Sequence, residues 1–215
     1  LTTMRCNITC DHCSVDSHPH RNEHMPVEVA LSYLRGLSAA KDIQHVDISG
    51  GEPLIHLNEV KRIATEARRL GISMRLTSNG FWAGTLTKAT GILGELREAG
   101  VAAVGLSIDE WHLPFITKNV VTNYITACRE VGMQPLLSAV VRSAPSGARR
   151  GRPVTEIAEL LVKYGLDQSE MIAPEALEAH RNSVPREMRL AFDQRSVQRW
   201  VVLTWQILTG EGRGR

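Results

Sequence analysis

Three cysteines near the start of the chain are the residues best suited to do chemistry. Cys6, Cys10 and Cys13 are spaced as Cys-x3-Cys-x2-Cys, whereas Cys128 is far away in the sequence. A disulfide framework spreads its cysteines through a small secreted domain, and thiols bunched in this way more often ligate a metal. Thiolates are soft ligands that select zinc, copper(I) or iron–sulfur clusters.

Two kinds of metal centre fit this cysteine triad. A structural zinc site needs a fourth protein ligand, for which the nearby candidates are His18, His20 and His24. These histidines lie in a polar loop that contains proline, which favours solvated side chains. A [4Fe-4S] cluster takes four cysteines as a rule, so three would leave one iron open for chemistry.

Further polar motifs follow the next predicted strands. Gly50, Gly51, Glu52 and Pro53 come after one apolar run. The two glycines suit a close approach of backbone to a ligand, and the carboxylate of Glu52 suits a cation. Without the cysteines, a simple turn with a solvated glutamate would be the better interpretation. The next runs end in polar residues too: Ser78, Asn79, Ser107 and Asp109.

Together these motifs resemble the radical SAM superfamily. The resemblance covers about residues 1 to 142 and is carried by the cysteine triad, by Ser49 to Pro53, by Thr77 to Gly80 and by Ser107 to Asp109. It implies a [4Fe-4S] cluster on Cys6, Cys10 and Cys13, with S-adenosylmethionine on the fourth iron. The cluster would cleave this cofactor reductively, and the resulting 5′-deoxyadenosyl radical would abstract a hydrogen atom from substrate.

The resemblance also implies roles for other residues. His12 occupies the position before the last cysteine that is aromatic in the family. Cofactor contacts are expected from the following residues: Gly50, Gly51, Glu52, Pro53, Ser78, Asn79, Ser107 and Arg142. Arg142 could pair with the cofactor carboxylate, although a surface arginine before a basic loop is an equal alternative.

Asp109 and His112 are the predicted catalytic residues. An imidazole that titrates near neutral pH could orient a substrate or move a proton. The carboxylate could bind a ribose hydroxyl or hold that imidazole. The alternative is that Asp109 caps the following helix and that His112 packs beside Trp111.

The elements that must position these residues follow a regular period. Apolar runs that predict strands end near Cys6, Ser49, Ser78, Ile108, Val141 and Ile172, and the later intervals are 29 to 33 residues. This matches strand-helix-strand units of about 30 residues. Apolar stripes predict helices over 57–70, 120–131 and 154–164, each followed by glycine.

Alternating β and α elements predict an α/β fold with a parallel sheet. Six units suit a partial (β/α)6 barrel better than a closed barrel of eight units. Active sites of such barrels form at the carboxyl ends of the strands, where all the motifs above are expected. Cys128 falls on an apolar helix stripe and is predicted to be a small core residue.

The predicted domains are a core over residues 1–175 and a helical extension over residues 176–215. Trp200 and Trp205 belong to an apolar segment that suggests a packing helix, and the tail over 210–215 is expected to be disordered or a truncation edge. Because the first strand begins at Leu1, a preceding stretch is expected to be missing.

Composition narrows the classes of function. The formal charge of +2 is too balanced for a chain that mainly holds a phosphate backbone, so nucleic acid is not an expected partner. No run approaches the roughly 20 apolar residues of a membrane span, and no signal peptide is evident. A cytoplasmic enzyme without a membrane partner is therefore expected.

The sequence is compatible with three functions. The first is a radical SAM enzyme acting on a precursor peptide or a small molecule, with a flavodoxin or ferredoxin as electron donor. The others are a glycyl-radical-type activating enzyme and a cysteine-zinc binding module without catalysis. The substrate does not follow from the sequence, because specificity lies in variable loops.

Overall fold

The chain forms one sheet flanked by helices. The computed structural model describes residues 1–11, 13, 15–38, 43–109, 111–142 and 200–206, with backbone alone at 139–142 and 200–206. The strands are β1 (His45–Ile48), β2 (Ser73–Ser78), β3 (Val101–Ser107), β4 (Leu136–Arg142) and β5 (Trp200–Gln206). They lie in the order β1-β2-β3-β4-β5; β1 to β4 are parallel and β5 is antiparallel to β4.

Helices connect the parallel strands, as the predicted α/β fold requires. The connecting helices are α2 (Leu57–Arg69), α3 (Leu86–Ala99) and α4 (Lys118–Glu130), and α1 (Val27–Ser38) precedes β1. Short 3-10 turns at Pro53–His56 and Phe81–Ala83 follow β1 and β2. No helix in this described part of the chain has the length and apolar character needed to cross a membrane.

The predicted helical stripes form the core against the sheet. In α2, the residues Val60, Ile63, Ala64 and Ala67 are buried, and Gly71 follows with a positive φ of 72°, a conformation that glycine adopts without strain. Cys128 is buried on α4, as predicted for a small core residue.

Tyr124 of α4 fastens two strands to each other. Its buried hydroxyl donates to the backbone oxygen of Val104 in β3 and accepts from the backbone nitrogen of Leu136 at the start of β4, 2.9 Å away. A buried backbone N–H needs such an acceptor, so this side chain fixes where β4 joins the sheet.

Two predicted elements are wrong. The run Leu1–Cys6 forms isolated bridges at Thr3 and Arg5 instead of a strand. Its backbone bonds alternate between two partners: Thr2 donates to Ser49 and Met4 donates to Glu23. Because the pairing is shared in this way, no continuous ladder forms with either neighbour.

The segment Trp200–Gln206 is a strand and not the predicted packing helix. Its β-branched and aromatic residues favour the extended backbone, and all seven residues pair with β4. The predicted helix over 154–164 and the sixth strand near Ile172 lie outside the described residues, so the six-unit barrel and the domain boundary at 175 stay predictions.

Candidate active site

The segment that carries the cysteines is fixed beside the carboxyl end of β1. Gly51 donates to the backbone oxygen of Thr3 at 2.7 Å, and Glu52 donates to that of Arg5 at 2.8 Å. A Cβ added at Gly51 would lie 2.1 Å from the Arg5 oxygen, and one added at Gly50 would lie 2.3 Å from the Thr3 oxygen. The space at both glycines is therefore filled by this segment, whereas the sequence suggested that a ligand needs it.

The three cysteines converge on one region. Cys6 is buried, Cys10 and Cys13 are half-buried, and the backbone nitrogen of Cys13 donates to the oxygen of Cys10 at 3.0 Å. Burial, together with the charges of Asp109, Cys6 and Cys13, raises the pKa of Cys10 to about 12. Burial also raises the pKa of Cys6. Thiolates in this setting repel one another, so a positive centre between them would relieve the repulsion.

Residues beyond the predicted set also contact the sulfurs. The backbone nitrogen of Ser17 donates to Cys13 Sγ at 3.3 Å. Asn79 Nδ2 lies 3.7 Å from Cys6 Sγ and donates to Asn7 Oδ1 at 2.9 Å. Neither residue could be singled out from its type alone: Ser17 bonds Cys13 across one local turn, and Asn7 depends on how the loop folds back on the end of β2.

Glu52 is fully buried and joins the ends of β1 and β2. Its carboxylate accepts from Leu54 N at 3.0 Å, from Ser78 Oγ at 2.9 Å and from Asn79 N at 2.7 Å. Burial raises the pKa of Glu52 to about 7 despite these donors. The buried carboxylate thus accepts three hydrogen bonds from the protein itself, and the alternative of a solvated glutamate is wrong.

Ser78 extends this network into the core. Its hydroxyl donates to Glu52 and accepts from Trp82 Nε1 at 2.9 Å. Pro53 is buried at the start of the 3-10 turn that follows Glu52. The predicted motif residues after β1 and β2 are therefore brought together, and the turn that they stabilise contacts the cysteine segment through Gly51 and Glu52.

Asp109 and His112 form a second polar pair beyond the end of β3. Asp109 is 1% exposed, and its Oδ1 lies 2.7 Å from His112 Nδ1. The same oxygen accepts from the backbone nitrogens of Trp111 and His112 at 3.1 Å. Asp109 therefore both caps the turn and holds the imidazole, two roles that the sequence presented as alternatives. Its charge also acts on Cys10, which places this pair near the cysteine site.

The remaining predicted site residues lie at strand ends, in the loop that follows the cysteines, or outside the described part of the chain. Ser107 is half-buried as the last residue of β3, and Arg142 is the last residue of β4, with only its backbone described. His12 lies outside the described residues. His18 and His20 lie with ring centroids 6.0 Å apart, whereas His24 contacts His56 and Glu59, so the three loop histidines do not form one site.

The donor set fits a cluster better than a single zinc ion. Four-coordinate zinc with Zn–S bonds of about 2.3 Å holds its sulfurs about 3.8 Å apart. Among the residues that the structure describes, the cysteine sulfurs form no group with all ligand atoms within 4.8 Å of one another. Three thiols spread around a larger space, without a fourth, match a [4Fe-4S] cluster with one open iron.

Fold and site define a class of protein: an α/β enzyme with three cysteines grouped near the carboxyl edge of a parallel sheet. The model of the radical SAM superfamily matches residues 1–130. The chain belongs to this superfamily, whose members are enzymes that use a [4Fe-4S] cluster and S-adenosylmethionine.

Curated relatives match over part of their length. The chain is 28% identical to "Putative peptide biosynthesis protein YydG" of Bacillus subtilis, over 59% of this chain and 40% of that protein. It is 31% identical to the GTP 3′,8-cyclase of Moorella thermoacetica, over 50% of this chain and 32% of that protein. The chain is 32% identical to the GTP 3′,8-cyclase of Chlorobaculum tepidum, over 50% of this chain and 31% of that protein. The matched region thus spans less than half the length of these relatives.

Proposed function

We propose that this chain is the catalytic core of an enzyme that cleaves S-adenosylmethionine reductively and abstracts a hydrogen atom from a peptide substrate. The observation that carries the proposal is the convergence of Cys6, Cys10 and Cys13 beside Asn79 and Asp109. When bound, the cluster and S-adenosylmethionine would supply the 5′-deoxyadenosyl radical. An external one-electron donor, such as a flavodoxin or ferredoxin, is required.

The chain's own residues hold and shield this chemistry. Cys6, Cys10 and Cys13 are the proposed cluster ligands, and Asn79 Nδ2 is positioned to donate toward the Cys6 sulfur. Glu52 acts as a positioning residue, because its three accepted hydrogen bonds fix the turn on which the cysteine segment rests.

His112 is the proposed group that handles protons at the substrate. A carboxylate only accepts, so His112 Nδ1 donates to Asp109. His112 is 12% exposed and Asp109 is buried beneath it, so the imidazole is the member of this pair that a substrate can reach. Nε2 can take up a proton or orient a polar group of the substrate.

A peptide is the first candidate substrate because the likeness to the peptide biosynthesis protein covers 59% of this chain. GTP is the second candidate, since two cyclases named for it are 31% and 32% identical over half of the chain. The two are distinguished by whether GTP, or a small peptide encoded beside this gene, is consumed by the reduced protein.

Anaerobic reconstitution followed by dithionite reduction tests the proposal. We expect 5′-deoxyadenosine and methionine in equal amounts by liquid chromatography and mass spectrometry. The Cys10→Ala protein should form neither product, while Cys128→Ala, which alters a buried thiol on α4, should keep both. Equal product from both variants would contradict the proposed cluster ligands.

A further inference from the structure

Three metal-ligating side chains meet outside the cysteine site. His24 lies on the segment after the cysteine loop and forms a bridge with Thr3. His56 directly precedes α2, and Glu59 lies in the first turn of that helix. One ligand atom from each of the three side chains lies within 4.8 Å of the other two. The cluster thus joins His24 to two residues that lie 32 and 35 positions further along the chain.

The side chains are in direct contact. His24 Nε2 lies 2.6 Å from Glu59 Oε2, and the ring centroids of His24 and His56 are 4.2 Å apart. His24 Nδ1 is buried and has no hydrogen-bond partner among the described residues.

The electrostatic state of the cluster suits a cation. The charge of Glu59 offsets the partial positive charge at the start of α2. The side chains of His24 and Glu59 are 25% and 35% exposed, so an ion can enter from solvent.

We propose that His24, His56 and Glu59 form a binding site for a divalent metal ion of the zinc class, separate from the cysteine site. Two imidazoles and one carboxylate are a ligand set that zinc takes together with one open position. Bonds of about 2.0 to 2.2 Å in tetrahedral geometry place ligand atoms about 3.3 Å apart. The contact between His24 and Glu59 must therefore open by less than about 1 Å.

A bound ion would fasten the segment that follows the cysteine loop to α2. The backbone of this segment already reaches the cysteine-bearing residues, because Met25 donates to Thr2 and Met4 donates to Glu23. The ion would thus link this segment to His56, which ends the 3-10 turn that follows Glu52. This site does not depend on the proposed reaction, and its test needs no turnover.

The test is zinc binding by the cluster-loaded protein under anaerobic conditions. After equilibrium dialysis against micromolar Zn²⁺, elemental analysis should find one zinc per chain in addition to the iron. The zinc X-ray absorption spectrum should show nitrogen and oxygen ligands only. His56→Ala and Glu59→Gln should each weaken zinc binding by at least about 100-fold. This is at or above the loss of affinity that follows when only a residue supporting a metal ligand is removed.

The matched control variants change a histidine and a glutamate that lie outside the cluster of His24, His56 and Glu59. His20→Ala removes an exposed histidine outside the cluster, and Glu95→Gln removes a helix glutamate that pairs with Lys61; both should bind zinc like the wild type. Absence of bound zinc, sulfur ligands in the spectrum, or wild-type affinity in both test variants would overturn the site. The spectrum of the wild-type protein decides the question even where a variant fails to fold.

Discussion

Replacing Gly51 by alanine should detach the cysteine segment from the sheet. The new Cβ would lie 2.1 Å from the Arg5 oxygen, against a minimum near 3.0 Å for real Cβ contacts, so the segment must move back by about 0.9 Å. That shift stretches the hydrogen bonds of Gly51 to Thr3 and of Glu52 to Arg5, now 2.7 and 2.8 Å, beyond the usual limit of about 3.2 Å. Each of the two hydrogen bonds contributes about 0.5 to 1.5 kcal/mol to stability, so the free energy of unfolding should fall by about 1 to 3 kcal/mol.

Gly91→Ala is the matched control, because its Cβ would meet nothing within 4 Å in the middle of α3. A helical glycine replaced by alanine stabilises by about 0.5 to 1 kcal/mol. Urea unfolding of the cluster-free variants should therefore separate them by about 1.5 to 4 kcal/mol. After reconstitution, Gly51→Ala should hold less than half of the iron of Gly91→Ala, since Cys6 directly follows the displaced Arg5. If the Gly51→Ala and Gly91→Ala proteins have equal free energies of unfolding and equal iron content, the contact of Gly51 with Arg5 does not hold the cysteine segment in place.

Three further predictions rest on single contacts. Tyr124→Phe leaves the buried nitrogen of Leu136 without its acceptor and should lower the free energy of unfolding by about 1 to 3 kcal/mol, measured in urea. Burial raises the pKa of Glu52 from 4.5 to about 7, so the folded state binds this proton more tightly than the unfolded state. Stability of the cluster-free protein should therefore fall by about 3 kcal/mol as pH rises from 4.5 through 7, and Glu52→Gln should lack this decline. His112→Ala should keep uncoupled cleavage of S-adenosylmethionine while substrate conversion falls by about 100-fold or more; a drop in thermal stability with parallel loss of both activities would instead assign His112 a structural role.

The sequence predicted the parts of the fold that periodic burial determines. The stripes before Gly71 and Gly132 became α2 and α4, because an apolar face at helical spacing has only the sheet to pack on. The segment Leu1–Cys6 reads as a strand from its composition, yet its bonds are divided between two neighbours. Composition alone does not determine how hydrogen bonds are shared, so this part could not be predicted.

The same distinction holds for the site. The cysteine spacing and the polar residues at strand ends could be read directly, since parallel strands end at one edge of a sheet. The three hydrogen bonds that Glu52 accepts from Leu54, Ser78 and Asn79 could not be read, because they depend on the exact approach of two loops. The contact of His24 with Glu59 across 35 positions likewise requires the folded chain, and the sequence grouped His24 with the wrong histidines.

Electron paramagnetic resonance of the reduced protein shows whether Cys6, Cys10 and Cys13 hold a [4Fe-4S] cluster whose open iron takes S-adenosylmethionine. We predict the spectrum of a reduced [4Fe-4S] cluster that shifts when S-adenosylmethionine is added, in the wild type and in Cys128→Ala but not in Cys10→Ala. A wild-type spectrum that S-adenosylmethionine leaves unchanged, or a full signal in Cys10→Ala, would contradict it.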